Sequence, residues 1–159
     1  MRFWDLPSGR QEEPAGQGFS DALRALEERR YNELGRMWQR APERMRRAEA
    51  RRRARREMAR RIAQHTGRRR LSERTIARRG RSDDPPPGVD KPWLDRWAAI
   101  DRAGGIRSLA DQLGTTERRV RRWRDSPDPA ARMPGLPPPP PGVPPGVPQR
   151  IGIETDGYV

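Results

Sequence analysis

Arg118, Arg119, Arg121, Arg122 and Arg124 surround Val120 and Trp123 in one short stretch of this chain, and only Glu117 and Asp125 stand beside them as acids. A guanidinium is a flat, permanently charged fork of donors. It matches the oxygens of a phosphate or the O6/N7 edge of a guanine. At helical spacing, like charges destabilise a helix by about 0.2–0.5 kcal/mol per pair. Such a run is ordinarily a solvated face, but a polyanion opposite it accounts better for the excess. Other chemistry has little to work with. The chain has no cysteine, so disulfides and thiolate metal sites are excluded. Its one histidine, His65, cannot build a zinc site and reads as an ordinary helix-end residue. No glycine-rich phosphate loop and no clustered carboxylates are present. No catalytic residue, cofactor or metal is therefore expected, and the chain reads as a non-enzyme.

The elements that would position these arginines lie in residues 106–125. Leu109, Ala110 and Leu113 share one helical face, and Val120 and Trp123 share a face of the next helix. Gly114 falls where a chain leaving a helix needs a left-handed residue. Thr115 or Thr116 can cap the second helix. This spacing resembles the helix-turn-helix of bacterial DNA-binding proteins. That pattern wants a small fifth residue, a glycine at the ninth, and apolar residues at the fourth, eighth, fifteenth and eighteenth. Here they are Ala110, Gly114, Leu109, Leu113, Val120 and Trp123. The resemblance implies that the second helix enters the major groove of duplex DNA. Thr116, Glu117, Arg118, Arg121 and Arg122 would then approach base edges, while Arg119 and Arg124 would meet phosphates.

A weaker copy precedes it. Ile62 to Gly67 parallels Leu109 to Gly114, and Leu71 to Arg79 parallels Thr115 to Trp123. The earlier copy inserts Arg68, Arg69 and Arg70 in the turn, has Thr66 where a leucine would fill the core, and has Arg79 at the place of Trp123. It reads as a degenerate second helix-turn-helix, with Ser72, Arg74 and Arg78 as its DNA-facing residues. The alternative is a pair of basic helices produced by biased composition.

Composition sets the bounds. Of 159 residues, 31% are hydrophobic, 36% are charged and 18 are prolines, too little apolar material for one large core. The net charge of +13 is local: residues 44–81 hold 17 arginines against Glu49, Glu57 and Glu73, a balance of +14. From 91 to 125 the balance is only +4. The basic belt would neutralise phosphates; its apolar stripe of Met45, Ala48, Met58, Ala59 and Ile62 is too thin for a membrane surface. No apolar run is long enough to span a membrane, and no apolar signal region follows Met1 and Arg2. A cytoplasmic, nucleoid-associated protein is expected.

The expected fold is all-α: small helix-turn-helix modules, one clear and one degenerate, joined to a long basic helical region, with disordered Pro/Gly-rich termini. Residues 1–18 read as a disordered arm. Residues 19–41 read as an amphipathic helix, with Leu23, Leu26, Leu34, Met37 and Trp38 as its stripe and a possible homodimer seam from Phe19 to Trp38. Residues 42–84 form the basic helical region, its long helix running from 42 to 65, and 85–90 a linker. Residues 91–126 form the helix-turn-helix module, where Trp93, Leu94, Trp97, Ala98 and Ile100 should pack on Leu109 and Val120. Order should fail after Pro127. Residues 127–150 read as a proline-rich tail, a spacer or a ligand for an aromatic-walled groove, and 151–159 as a short extended segment.

Two further readings stay open. LADQLGTTERRVRRW with the later IGIETDGY resembles the telomere terminal proteins of linear actinobacterial replicons. That resemblance implies a hydroxyl that primes DNA synthesis, here on Thr155 or Tyr158. A third reading is an adaptor or scaffold without sequence preference on DNA. The leading expectation is a DNA-binding protein acting in transcriptional control or replicon maintenance.

Overall fold

A computed structural model describes residues 18–135. Six α-helices follow in order: α1 Phe19–Asn32, α2 Glu43–Thr66, α3 Glu73–Arg81, α4 Lys91–Ala103, α5 Ile106–Leu113 and α6 Glu117–Arg124. One 3₁₀ turn, Arg36–Trp38, lies between α1 and α2, and there is no strand among the described residues. The all-α expectation holds. Residues 1–17 and 136–159, which include Thr155 and Tyr158 and most of the proline-rich tail, lie outside the described residues.

The helix boundaries follow from local chemistry. Ser72 Oγ accepts from Thr75 N at 3.1 Å to start α3, Asp90 Oδ1 accepts from Trp93 N at 3.1 Å to start α4, and Thr116 Oγ1 accepts from Arg119 N at 3.2 Å to start α6. Gly67 ends α2 and Gly114 ends α5, both left-handed at φ 70° and 67°. α1 has no side-chain cap of its own; Asp83 Oδ1, 63 residues away, accepts from Ser20 N at 2.9 Å.

Three expectations about the first half change. The helix from Phe19 stops at Asn32, not near residue 41. Gly35 is extended and redirects the chain, which leaves Met37 86% exposed and Leu34 and Trp38 only half-buried. α2 runs one residue beyond His65, to Thr66. Its buried line is Ala50, Ala54, Met58 and Ile62, each four residues from the last. Met45 and Ala48 fall off that line, and both are exposed.

Two apolar cores result. Phe19, Leu23 and Leu26 of α1, Met58 and Ile62 of α2 and Ile76 of α3 belong to the first. Ile100 of α4, Leu109 and Ala110 of α5, and Val120 and Trp123 of α6 form the second. The expectation for α4 needs correcting here. Trp93, Leu94 and Ala98 belong to the first core, not to the group around Leu109 and Val120. Only Ile100 is buried in the second, and half-buried Trp97 packs against both. α4 carries apolar residues on two faces, so each core takes one. Leu113, expected in the core, is half-buried at the end of α5. Order also continues past Pro127: Ala131 and Met133 pack against the second core, and Gly135 lies so close to Leu113 that no side chain fits there.

An ionic knot ties the two cores together. Asp101 of α4, its side chain 1% exposed, takes both forks of Arg61 from α2 at 2.8 and 3.0 Å. Arg29 of α1 adds a third bond at 3.0 Å. The Arg61 guanidinium lies 3.6 Å over the Trp97 ring, and its Nε reaches Glu57 at 3.2 Å. Burial pushes the Glu57 carboxyl up, but Arg60, Arg61 and Arg30 outweigh it and hold it below the ordinary range.

Removing one partner of a buried pair leaves the other charge unsatisfied, at about 3–5 kcal/mol. Asp101→Asn should therefore lower the urea midpoint sharply, while Asp125→Asn, at an exposed pair with Arg124, should cost under about 1 kcal/mol. Equal midpoints for the two variants would remove Asp101 from this role.

The sign of the acid response follows from Glu57. A depressed carboxyl stabilises above its unfolded pKa of about 4.3, and this is lost as pH falls through the lower native value. Glu57→Gln should melt lower than wild type at pH ~7 and should lose less between pH ~5 and ~3. Parallel losses in the two proteins would show that Glu57 carries none of the acid sensitivity.

Candidate nucleic-acid interface

α6 is short and half of its surface is fixed by packing. Val120 and Trp123 turn into the second core, so the intervening positions must face outward. Arg118, Arg119 and Arg122 are exposed, and their side chains have no hydrogen bond, ion pair or ring contact among the described residues. Thr116 is exposed and spends its hydroxyl oxygen on the cap. Glu117 is half-buried and pairs with Arg121 at 3.0 Å, so its carboxylate holds that exposed arginine to the helix. Arg124 is different: it turns back on Asp125 at 2.8 Å and lies 4.8 Å from the Trp97 ring centre.

The earlier copy places its residues in the same way. Ser72 caps α3 and also donates to Thr75 Oγ1 at 3.0 Å. Arg74 and Arg78 are exposed, and their side chains are unpaired among the described residues. Arg79, at the place of Trp123, cannot enter a core; it folds back to the Asp84 carboxylate at 2.9 Å and to the Pro85 carbonyl at 3.3 Å. Arg68, Arg69 and Arg70 in the turn are exposed and make no ion pair among the described residues.

The basic belt is less free than its composition suggests. Arg61 is buried on Asp101. Arg53 pairs with Glu49 at 2.7 Å, and Arg52 pairs with the same carboxylate. Arg47 reaches Glu28 at 2.6 Å, and Arg56 reaches Glu73 at 3.3 Å. The hydrogen bond from Arg53 draws Glu49 down despite some burial, and Arg52 adds to it. Arg52 is thus engaged within the protein, whereas Arg69 is exposed and makes no ion pair among the described residues.

Two functional supports were not visible as such in the sequence. Arg96 is buried and donates to the carbonyls of Ser126 and Asp128 at 2.7 and 2.6 Å, clamping the exit of α6 to α4. Asp101 and Arg61 hold α4 against α2. The available signal was phase: Asp101 follows Leu94 and Ala98 on one helical line, and Arg61 follows Ala54 and Met58 on another. A charge in phase with a core stripe asks for a buried partner.

No described helix is long and apolar enough to cross a membrane. No group of three or more His, Asp or Glu side chains placed to hold a metal occurs among the described residues. Comparison with protein-family models, with curated proteins and with solved structures finds no match to this chain.

Proposed function

We propose that this chain binds double-stranded DNA, with α6 reading sequence and the exposed arginines of residues 44–81 holding phosphates. The observation that carries this reading is the contrast in arginine pairing. Across α2 most guanidiniums answer a carboxylate, whereas Arg118, Arg119 and Arg122 do not, on a helix whose opposite face is fixed by Val120 and Trp123. Unpaired like charges on a rigid, exposed helix face suit a partner that brings the negative charge. Arg118 and Arg122 are four residues apart and share a face, so both can meet neighbouring base edges. Glu117 steadies Arg121 beside them. The role is binding, in transcriptional control or replicon maintenance, and no catalytic step is assigned to the chain.

Selection of bound duplexes from a random pool gives the target. On that target, Arg118→Ala and Arg122→Ala should each lose discrimination by about 1–3 kcal/mol, with little change on scrambled DNA. Arg69→Ala should weaken both duplexes alike and flatten the log–log salt slope by about 0.9. Equal losses on target and scrambled DNA for all three variants would remove α6 from sequence reading.

A further inference from the structure

The six helices divide into two triplets of the same plan. In the first, α1 packs on α2 and α3, and α2 on α3; in the second, α4 packs on α5 and α6, and α5 on α6. In each, a left-handed glycine, Gly67 or Gly114, ends the middle helix. A hydroxyl cap, Ser72 or Thr116, starts the third. Counted from that cap, the fourth residue is buried, Ile76 in one and Val120 in the other. The second and sixth are arginines in both: Arg74 and Arg78, Arg118 and Arg122. All four are exposed, and their side chains are unpaired among the described residues.

The principal contact between the triplets joins their first helices, α1 and α4. These touch level with level at two points, while Arg102, twelve residues past its cap, also reaches Asp21, three past its own. Gly18, the cap of α1, lies against Lys91, the first residue of α4. Arg29 and Asp101, each eleven residues past its cap, bond to one another at 3.0 Å. The faces correspond in part: Ala22 and Leu26 are buried four and eight residues past the cap in α1, and Leu94 and Ala98 at the same places in α4, whereas buried Leu23 has exposed Asp95 as its counterpart. Two copies stacked by translation would meet through opposite faces. Meeting through the same face is the mark of an approximate two-fold axis, the arrangement of a symmetric dimer. Here Arg29 and Asp101 make that self-contact attractive because the two copies carry opposite charges at one position.

We infer that a single chain is a built-in pseudo-dimer that engages two half-sites of duplex DNA arranged as an imperfect inverted repeat, α6 on one and α3 on the other. This rests on the DNA-binding reading above and extends it: α3 reads sequence and does not merely hold phosphates. The half-sites should differ, because Arg121 beside Arg118 has Ala77 as its counterpart. Two-fold proteins place their reading helices about one DNA turn apart, or a multiple of it.

The test uses the full chain on duplexes selected from a random pool. Hydroxyl-radical footprinting gives the protected sequence, and native mass spectrometry gives the number of chains per duplex. The inference expects one chain on two inverted half-sites. The pair Arg74→Ala with Arg78→Ala should erase protection and preference at one half-site only, and Arg118→Ala with Arg122→Ala at the other. Each should weaken the whole site about tenfold or more, since one tenfold step is about 1.4 kcal/mol. All four positions are exposed, so both double variants should keep the wild-type melting point. A single protected half-site, two half-sites in direct repeat, or two half-sites filled only by two chains would each overturn the inference while leaving the DNA-binding reading in place. No complex with any duplex would overturn both.

Discussion

The structure depends on one buried carboxylate. Asp101 lies inside the protein, with Arg61 and Arg29 around it and Trp97 beneath the Arg61 guanidinium. Removing a carboxylate from water costs several kcal/mol unless partners satisfy it, so the site tolerates only an arrangement that brings both arginines within reach. Those arginines come from α2 and α1, and the carboxylate from α4. The interaction therefore fixes the three longest of the described helices at once. Its worth is in specifying which surfaces meet more than in net stability, since apolar side chains of the same size would also fill the space.

The distribution of charge follows from that constraint. One arginine of the basic belt is internal, and several others are neutralised by Glu28, Glu49, Glu57 and Glu73. Of the cations left over, Arg68, Arg69, Arg70, Arg74 and Arg78 lie in the turn and on the exposed face of α3, and Arg118, Arg119 and Arg122 on that of α6; Arg36, Arg40, Arg44 and Arg107 are exposed elsewhere, also without a salt bridge among the described residues. α3 and α6 are the helices furthest in the chain's logic from the Asp101 knot: each is third in its triplet and held by one deeply buried aliphatic residue, Ile76 or Val120. A rigid interior with unpaired arginines on its last helices is a scaffold that presents charge. Arg96 serves the same end, because its bonds to the carbonyls of Ser126 and Asp128 stop the end of α6 from fraying.

Local features were legible in the sequence. The glycine end at Gly114, the cap at Thr116, and the burial of Leu109, Ala110, Val120 and Trp123 all follow from short-range spacing, whereas Ser72, read as a DNA-facing residue, serves as the cap of α3. The candidate site was legible to the same extent, since exposure of Arg118 and Arg122 follows from burial of Val120 and Trp123. Long-range pairing was not. Arg61 and Asp101 are 40 residues apart, and nothing in either neighbourhood names the other. Composition marked Arg61 as one more belt cation. The division of α4 between two cores was hidden for a related reason: a helix apolar on two faces looks, in one dimension, like a helix with one broad face. The early end of α1 turned on the backbone of Gly35, whose extended conformation sent Met37 into solvent.

The claim at the centre is that the unpaired arginine faces of α6 and α3 meet duplex DNA while the α1–α4 contact stays internal. Backbone amide NMR during titration with a selected duplex tests it directly. The largest shifts should gather at residues 116–122 and at 68–78, with Ala22, Leu26, Leu94 and Ala98 little changed. Shifts confined to the exposed Met37 and Met45 surface, or no shifts with any duplex at low salt, would contradict it.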